Sequence, residues 1–168
     1  MDALTYLLDQ HDEMDGIING IEDASESRKK KALFGQMADK LAAHAAIEEK
    51  IFYPAVKAKQ TDEMLLESTE EHLSIKRVLA DMLALSVEDK RFDAKLLVLK
   101  EQLDHHNRDE EEVKLFPKVL ALLSKDELDG LGGEMAAAYE QMITKHPRDS
   151  VPSETKRAGS GRLSEPVP

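Results

Sequence analysis

The chain has 168 residues, 41% of them hydrophobic and 34% charged, enough for one soluble domain with a sizeable core. It contains no cysteine, which excludes disulfides, thiolate metal sites and cysteine nucleophiles and fits a reducing cytoplasm. A net charge of −11 argues against nucleic acid or an anionic membrane as partner and suits a cation, and no apolar run approaches the roughly 18–20 residues that span a bilayer.

In chain order, the N-terminus MDALTYLLDQHDEMDG lacks the basic n-region of a secretory signal, so the expected location is cytoplasmic. Apolar residues then recur at spacings of three and four, which predicts helices and no strands. The expected helices cover about 3–22, 27–57, 62–85 and 92–123, with Asp89 an N-cap for the fourth. Ser124 and Glu127 have capping-box spacing and open a shorter fifth helix to about residue 144, although Gly130, Gly132 and Gly133 weaken its start. Pro147 ends it, and residues 147–168, rich in Pro, Ser and Gly, read as a disordered tail. Short connections between long helices favour antiparallel neighbours. The fold class is therefore all-α, an up-down-up-down four-helix bundle over 1–123 with an additional helix over 124–146.

Each of the four long helices carries an apolar stripe interrupted near its middle. The first reads Leu4, Leu7, His11, Met14, Ile18. The second reads Met37, Leu41, His44, Glu48, Ile51. The third reads Leu65, Ser68, His72, Ile75, Leu79, Met82 and the fourth Leu99, Leu103, His106, Glu110, Val113. Every interruption contains a histidine, and in the second and fourth a glutamate follows at i+4 on the same face. A lone inward histidine is more often a satisfied core residue than a ligand. Four on four helices, joined by two carboxylates that are costly to bury and have no inward Lys or Arg, point to a cation.

The donors are nitrogen and oxygen without sulfur. All-oxygen calcium or magnesium sites do not use four histidines, and a closed tetrahedral zinc site needs only four ligands. Six ligands from four helices suit a pair of octahedral-preferring metals such as iron or manganese. Two such ions offer about twelve positions; four histidines, two bridging carboxylates and a shared oxo or hydroxo bridge leave roughly two open for a small molecule. The Glu-x-x-His and H-E-x-x-H metal motifs are absent.

With His11, the segment HAAIEEKIFYP at 44–54, EEH at 70–72 and HHNRDEEEVKLFP at 105–117, residues 1–123 resemble the hemerythrin-like family of HHE cation-binding domains. The resemblance implies a four-helix bundle holding a non-haem centre of two iron ions, oxo- or hydroxo-bridged, with His11, His44, Glu48, His72, His106 and Glu110 as its metal ligands. The implied partner is a small diatomic ligand or peroxide. The implied functions are binding or reduction of a small oxidant (peroxide, O₂ or NO), or a non-catalytic iron-binding or sensor module acting through a protein partner.

Two departures stand out. O₂-carrying hemerythrins place a second histidine one turn after the third-helix histidine, where this chain has Lys76. In the fourth helix one residue is inserted: Glu48 stands six residues before Pro54, and the same offset from Pro117 gives Glu111, not Glu110. A straight helix selects Glu110; a π-bulge that absorbs the extra residue would select Glu111 instead. His105 falls in a mostly polar row and reads as exposed, and Glu49, Glu111 and Glu112 read as a solvated face. The cluster 28–31 reads as a solvated helix start, His146 as surface, and Met14, Met37 and Met82 as packing.

Overall fold

The computed structural model describes residues 1–156. Their regular structure is helical throughout: α1 (Ala3–Asp23), α2 (Ser27–Ile47), α3 (Tyr53–Ala55), α4 (Asp62–Leu83), α5 (Lys90–Leu103), α6 (Phe116–Leu122) and α7 (Lys125–Ile143). A π-helical segment, Glu48–Phe52, carries α2 into α3, and a longer one, Asp104–Leu115, carries α5 into α6. The second and fourth rods of the expected bundle are thus continuous, but each widens in its C-terminal half. Both widenings run up to a proline. Pro54 and Pro117 lack the N–H that would bond the carbonyls of Lys50 and Val113, and their rings crowd those carbonyls. The N–H of Tyr53 bonds the carbonyl of Glu48, and that of Phe116 bonds the carbonyl of Glu111, each five residues back.

Local chemistry sets the helix ends. The Asp2 carboxylate accepts from the N–H groups of Leu4 and Thr5, both at 3.0 Å, and starts α1. Asp89 caps α5, accepting from the Arg91 N–H at 2.9 Å. The Ser124–Glu127 capping box is formed. The glycines expected to weaken α7 do not break it, and Gly132 has a positive reason to be there. A Cβ at that position would lie 2.7 Å from the Asp2 carbonyl carbon and 2.8 Å from the Ala3 nitrogen, so glycine lets α7 press against the start of α1.

The apolar interior falls into two plugs. One contains Leu7, Ile47, Phe52, Phe116, Val119 and Met135; the other contains Met14, Met37, Leu79, Met82, Phe92 and Leu99. A band of buried polar side chains, among them His11, His44, Glu48, His72, His106 and Glu111, separates them. The plugs hold the rods in register on both sides of that band and keep it dry.

Residues 147–156 do not follow the expected disorder. His146 adopts a left-handed conformation (φ 49°) and reverses the chain after α7. Pro147–Ser150 then forms a 3-10 turn that runs into a short helical stretch over 151–156. One apolar anchor suffices: Val151, 1% exposed, enters the second plug, while Arg148 pairs with the largely buried Asp39 at 3.3 Å and bonds it again through its N–H at 3.2 Å. The rest of the expected disordered tail, 157–168, lies outside the described residues.

Candidate metal centre

The structure brings His11, His44, Glu48, His72 and His106 together, each no more than 3% exposed. It does not bring Glu110 to them. Glu110 sits at the rim, paired with Lys114 and 3.7 Å from His105 Nε2. The carboxylate that joins the cluster is Glu111, fully buried. The register explains the exchange. A straight α-helix puts i+4 beneath His106; the π-helical turn puts i+5 there, swings Val113 out to 68% exposure, and leaves Ile51 only half-buried in the shorter π segment. The shared offset of Glu48 and Glu111 from their prolines was the signal for it.

Two sets of donor atoms, each within 4.8 Å of one another, can hold a cation: His11, His44, Glu48 and Glu111, and Glu48, His72 and His106. Glu48 belongs to both. Glu48 turns Oε1 to His44 Nε2 at 3.3 Å and Oε2 to His72 Nε2 at 3.2 Å. Glu111 turns Oε2 to His11 Nε2 at 3.5 Å and Oε1 towards His106 Nε2 at 3.9 Å.

Every imidazole is fixed from behind. His11 Nδ1–H donates to Glu112 at 2.7 Å, and His44 Nδ1–H to Gln10 at 2.7 Å. His72 Nδ1–H donates to Glu49 at 3.0 Å, and His106 Nδ1–H to Glu71 at 2.7 Å. A proton on Nδ1 of a neutral ring leaves a lone pair on Nε2, so four lone pairs converge inward. His72 Nε2 and His106 Nε2 face each other at 2.9 Å, a distance at which two lone pairs repel. His11 Nε2, His44 Nε2, both Glu48 oxygens and Glu111 Oε2 have no hydrogen-bond partner among the described residues. Buried orphan acceptors of this kind fit a bound cation and little else. Glu49 and Glu112, read from sequence as a solvated face, are supporting groups; each follows an inward glutamate directly. Gln10, Glu71 and Tyr53 gave no periodic signal.

The electrostatics agree. Burial pushes the Glu48 carboxyl well above the usual carboxylate range, and the adjacent Glu111 carboxylate adds to that. For Glu111 burial acts upward, but the imidazoles of His106 and His11 outweigh it and hold its carboxyl down. Burial pushes His44 well below the usual imidazole range, and His11 adds to it. Burial also opposes charge on His11, but Glu111, Glu48 and Glu112 outweigh it and raise its affinity for a proton.

The sequence model of the hemerythrin HHE cation binding domain matches residues 2–119. The chain belongs to the hemerythrin HHE cation-binding family. The fold is similar to the crystal structure of a hemerythrin HHE cation binding domain-containing protein from Mycobacterium kansasii, with a TM-score of 0.74 over 86% of this chain and 89% of that one. The two are 24% identical, so that likeness is one of fold. A DNA nickase from Nostoc sp. is 27% identical over 132 residues, 79% of this chain but 37% of that protein, so the HHE chain spans little more than a third of that relative.

Two further features belong to this HHE centre. The Tyr53 hydroxyl donates to Glu111 Oε1 at 2.9 Å and lies 3.2 Å from His72 Nε2. Burial, with Glu111 and Glu48 nearby, keeps it a neutral phenol. A small void of about 10 Å³ borders His44, His72 and His106, with Ile75, Leu79 and Leu103 on its apolar side. Lys76 turns its ammonium away from the cluster to Glu49, at 2.8 and 3.0 Å.

Proposed function

We propose that the chain holds two iron ions between its rods and binds or reduces a small oxidant there: peroxide, O₂ or NO. His11, His44, His72, His106, Glu48 and Glu111 would hold them. The observation that carries this reading is that two sets of donor atoms share Glu48, whose two oxygens face different histidine pairs, His44 on one side and His72 on the other. A site for a single ion has no use for that arrangement. Six nitrogen and oxygen donors without sulfur favour iron over a closed tetrahedral zinc site.

Such a pair of ions would supply electrons and open coordination positions. The chain supplies the rest. Gln10, Glu49, Glu71 and Glu112 orient the imidazoles, the two apolar plugs exclude water, and Tyr53 keeps a proton on its hydroxyl beside Glu111. A void of about 10 Å³ is near the least space that admits one water-sized molecule, which leaves no room for an organic substrate. No helix among the described residues is long and apolar enough to cross a membrane, and we place the activity in the reducing cytoplasm.

The test is metal analysis of the full chain expressed with iron, followed by spectra with azide, NO and peroxide. About two irons per chain and a ligand-dependent absorption band are expected. One zinc per chain, or no metal, overturns the reading. Iron with a ligand response but no peroxide turnover selects the non-catalytic binding or sensor role.

A further inference from the structure

Two cavities meet at Ala42 and Lys76. The first, about 600 Å³ and open to solvent, lies among α2, α4, α7 and the C-terminal segment, with Thr69, Leu73, Met142 and Glu154 in its walls. The second is the small void against His44, His72 and His106. Ala42 and Lys76 line both. Ala42 has a single-carbon side chain on a buried helix face and has nothing to move. Lys76 is a four-carbon stem with rotatable bonds. The remaining walls of the void are packed leucine and isoleucine, the buried Ala45 and Asn107, and histidines clamped at Nδ1.

Lys76 is also fastened. Its side chain is 12% exposed, and its ammonium is held by both Glu49 oxygens and by Glu154 Oε2 at 3.3 Å. Glu154 is positioned in turn by the Ser150 hydroxyl, which donates to its other oxygen at 2.7 Å. Ser150 belongs to the segment seated by Val151 in the core and by Arg148 on Asp39. Among the four histidine supports, the Glu49 support of His72 is thereby connected to the C-terminal segment.

We infer that Lys76, latched by Glu154, is the gate through which small molecules pass between the open cavity and the void at the histidine cluster. This rests on the reading that a small oxidant is bound there. Closed, the stem fills the partition and its ammonium is satisfied on one side. Open, the stem swings into the wide cavity, where its charge meets water. The C-terminal segment sets how often this happens, because it carries the latch.

The experiment compares the iron-loaded full chain with E154Q and K76A, following azide and NO entry by stopped flow. E154Q removes one partly exposed ion pair and should speed entry of both probes roughly two- to fivefold. K76A removes the partition and should speed both by about tenfold or more. Unchanged rates overturn the gate, and acceleration of azide alone in E154Q also overturns it, since loss of a negative charge speeds an anion and leaves neutral NO unaffected. A second readout needs no iron: in the zinc-loaded full chain, dissolved O₂ should relax the methyl groups of Ile75 and Leu103 most in K76A, less in E154Q and least in the wild type. Equal relaxation in all three overturns the gate. A wild-type chain that takes up no iron sinks the functional reading, and the methyl relaxation still decides the gate.

Discussion

The two halves of the bundle are built on one plan. In the first, the residue before His11 supports the next rod's histidine: Gln10 holds His44. In the second, the residue before His72 does the same: Glu71 holds His106. The residue after each inward glutamate supports a histidine across the bundle, Glu49 holding His72 and Glu112 holding His11. Five residues beyond each inward glutamate an aromatic ring stacks on that same histidine, Tyr53 on His72 and Phe116 on His11, with ring centroids 5.5 and 6.4 Å apart. The differences lie within this symmetry. One support is a neutral amide where its counterpart is a carboxylate, one aromatic carries a hydroxyl, and one histidine-to-glutamate step is five residues instead of four. The halves match in donors and differ in surroundings.

The largest expected effect tests the five-residue step. Glu111→Ala should lower metal affinity by more than about a hundredfold, beyond what loss of a supporting group costs, and Glu110→Ala should leave it within a few-fold. A chelator-competition titration measures both, and the reverse order would restore a straight helix. Next, His106→Ala should resemble Glu111→Ala. His105→Ala should cost only a few-fold, because His105 is 54% exposed and meets the cluster only through Glu71, the support of His106.

Removing the unequal supports should matter less. Glu71→Ala should lower metal affinity by about 10–100-fold, and Gln10→Ala by less, since a neutral acceptor polarises its imidazole more weakly. Equal losses would mean that the charge difference between the halves has no consequence. The smallest effect is in acid. Burial acts to raise the Glu49 carboxyl, but His72 and Lys76 outweigh it and hold it at about 2, against an ordinary 4.5. Its folded value is depressed, so its contribution to stability is complete above about 4.5 and disappears as the pH falls towards 2. Thermal melting should decline across that window in the wild type and decline less in Glu49→Gln.

Much of this was legible because it is local. The rods follow from apolar spacing, the caps from Asp89 and the Ser124–Glu127 pair, and the stripes carry His11, His44, Glu48, His72 and His106 on one inward line. Glu111 was not legible by that route, since a stripe drawn at 3.6 residues per turn assumes the hydrogen-bond register that the π segment abandons. The supports of the histidines were hidden for another reason. Gln10, Glu49, Glu71 and Glu112 act across rods, and no periodicity within one rod records its neighbour. The C-terminal segment was misread through its average composition, where a single valine was the residue that counted.

The protonation of the buried band has a consequence for how the site fills. Burial raises the affinity of the Glu48 carboxylate for a proton, and at His11 the nearby Glu111 and Glu48 outweigh burial and act in the same direction. A cation and a proton compete for the same Glu48 oxygens and His11 nitrogen, so uptake and protonation are linked. Each proton so displaced offsets part of the charge the ion brings. Falling pH therefore works against filling, and acidification alone is a means of emptying the bundle.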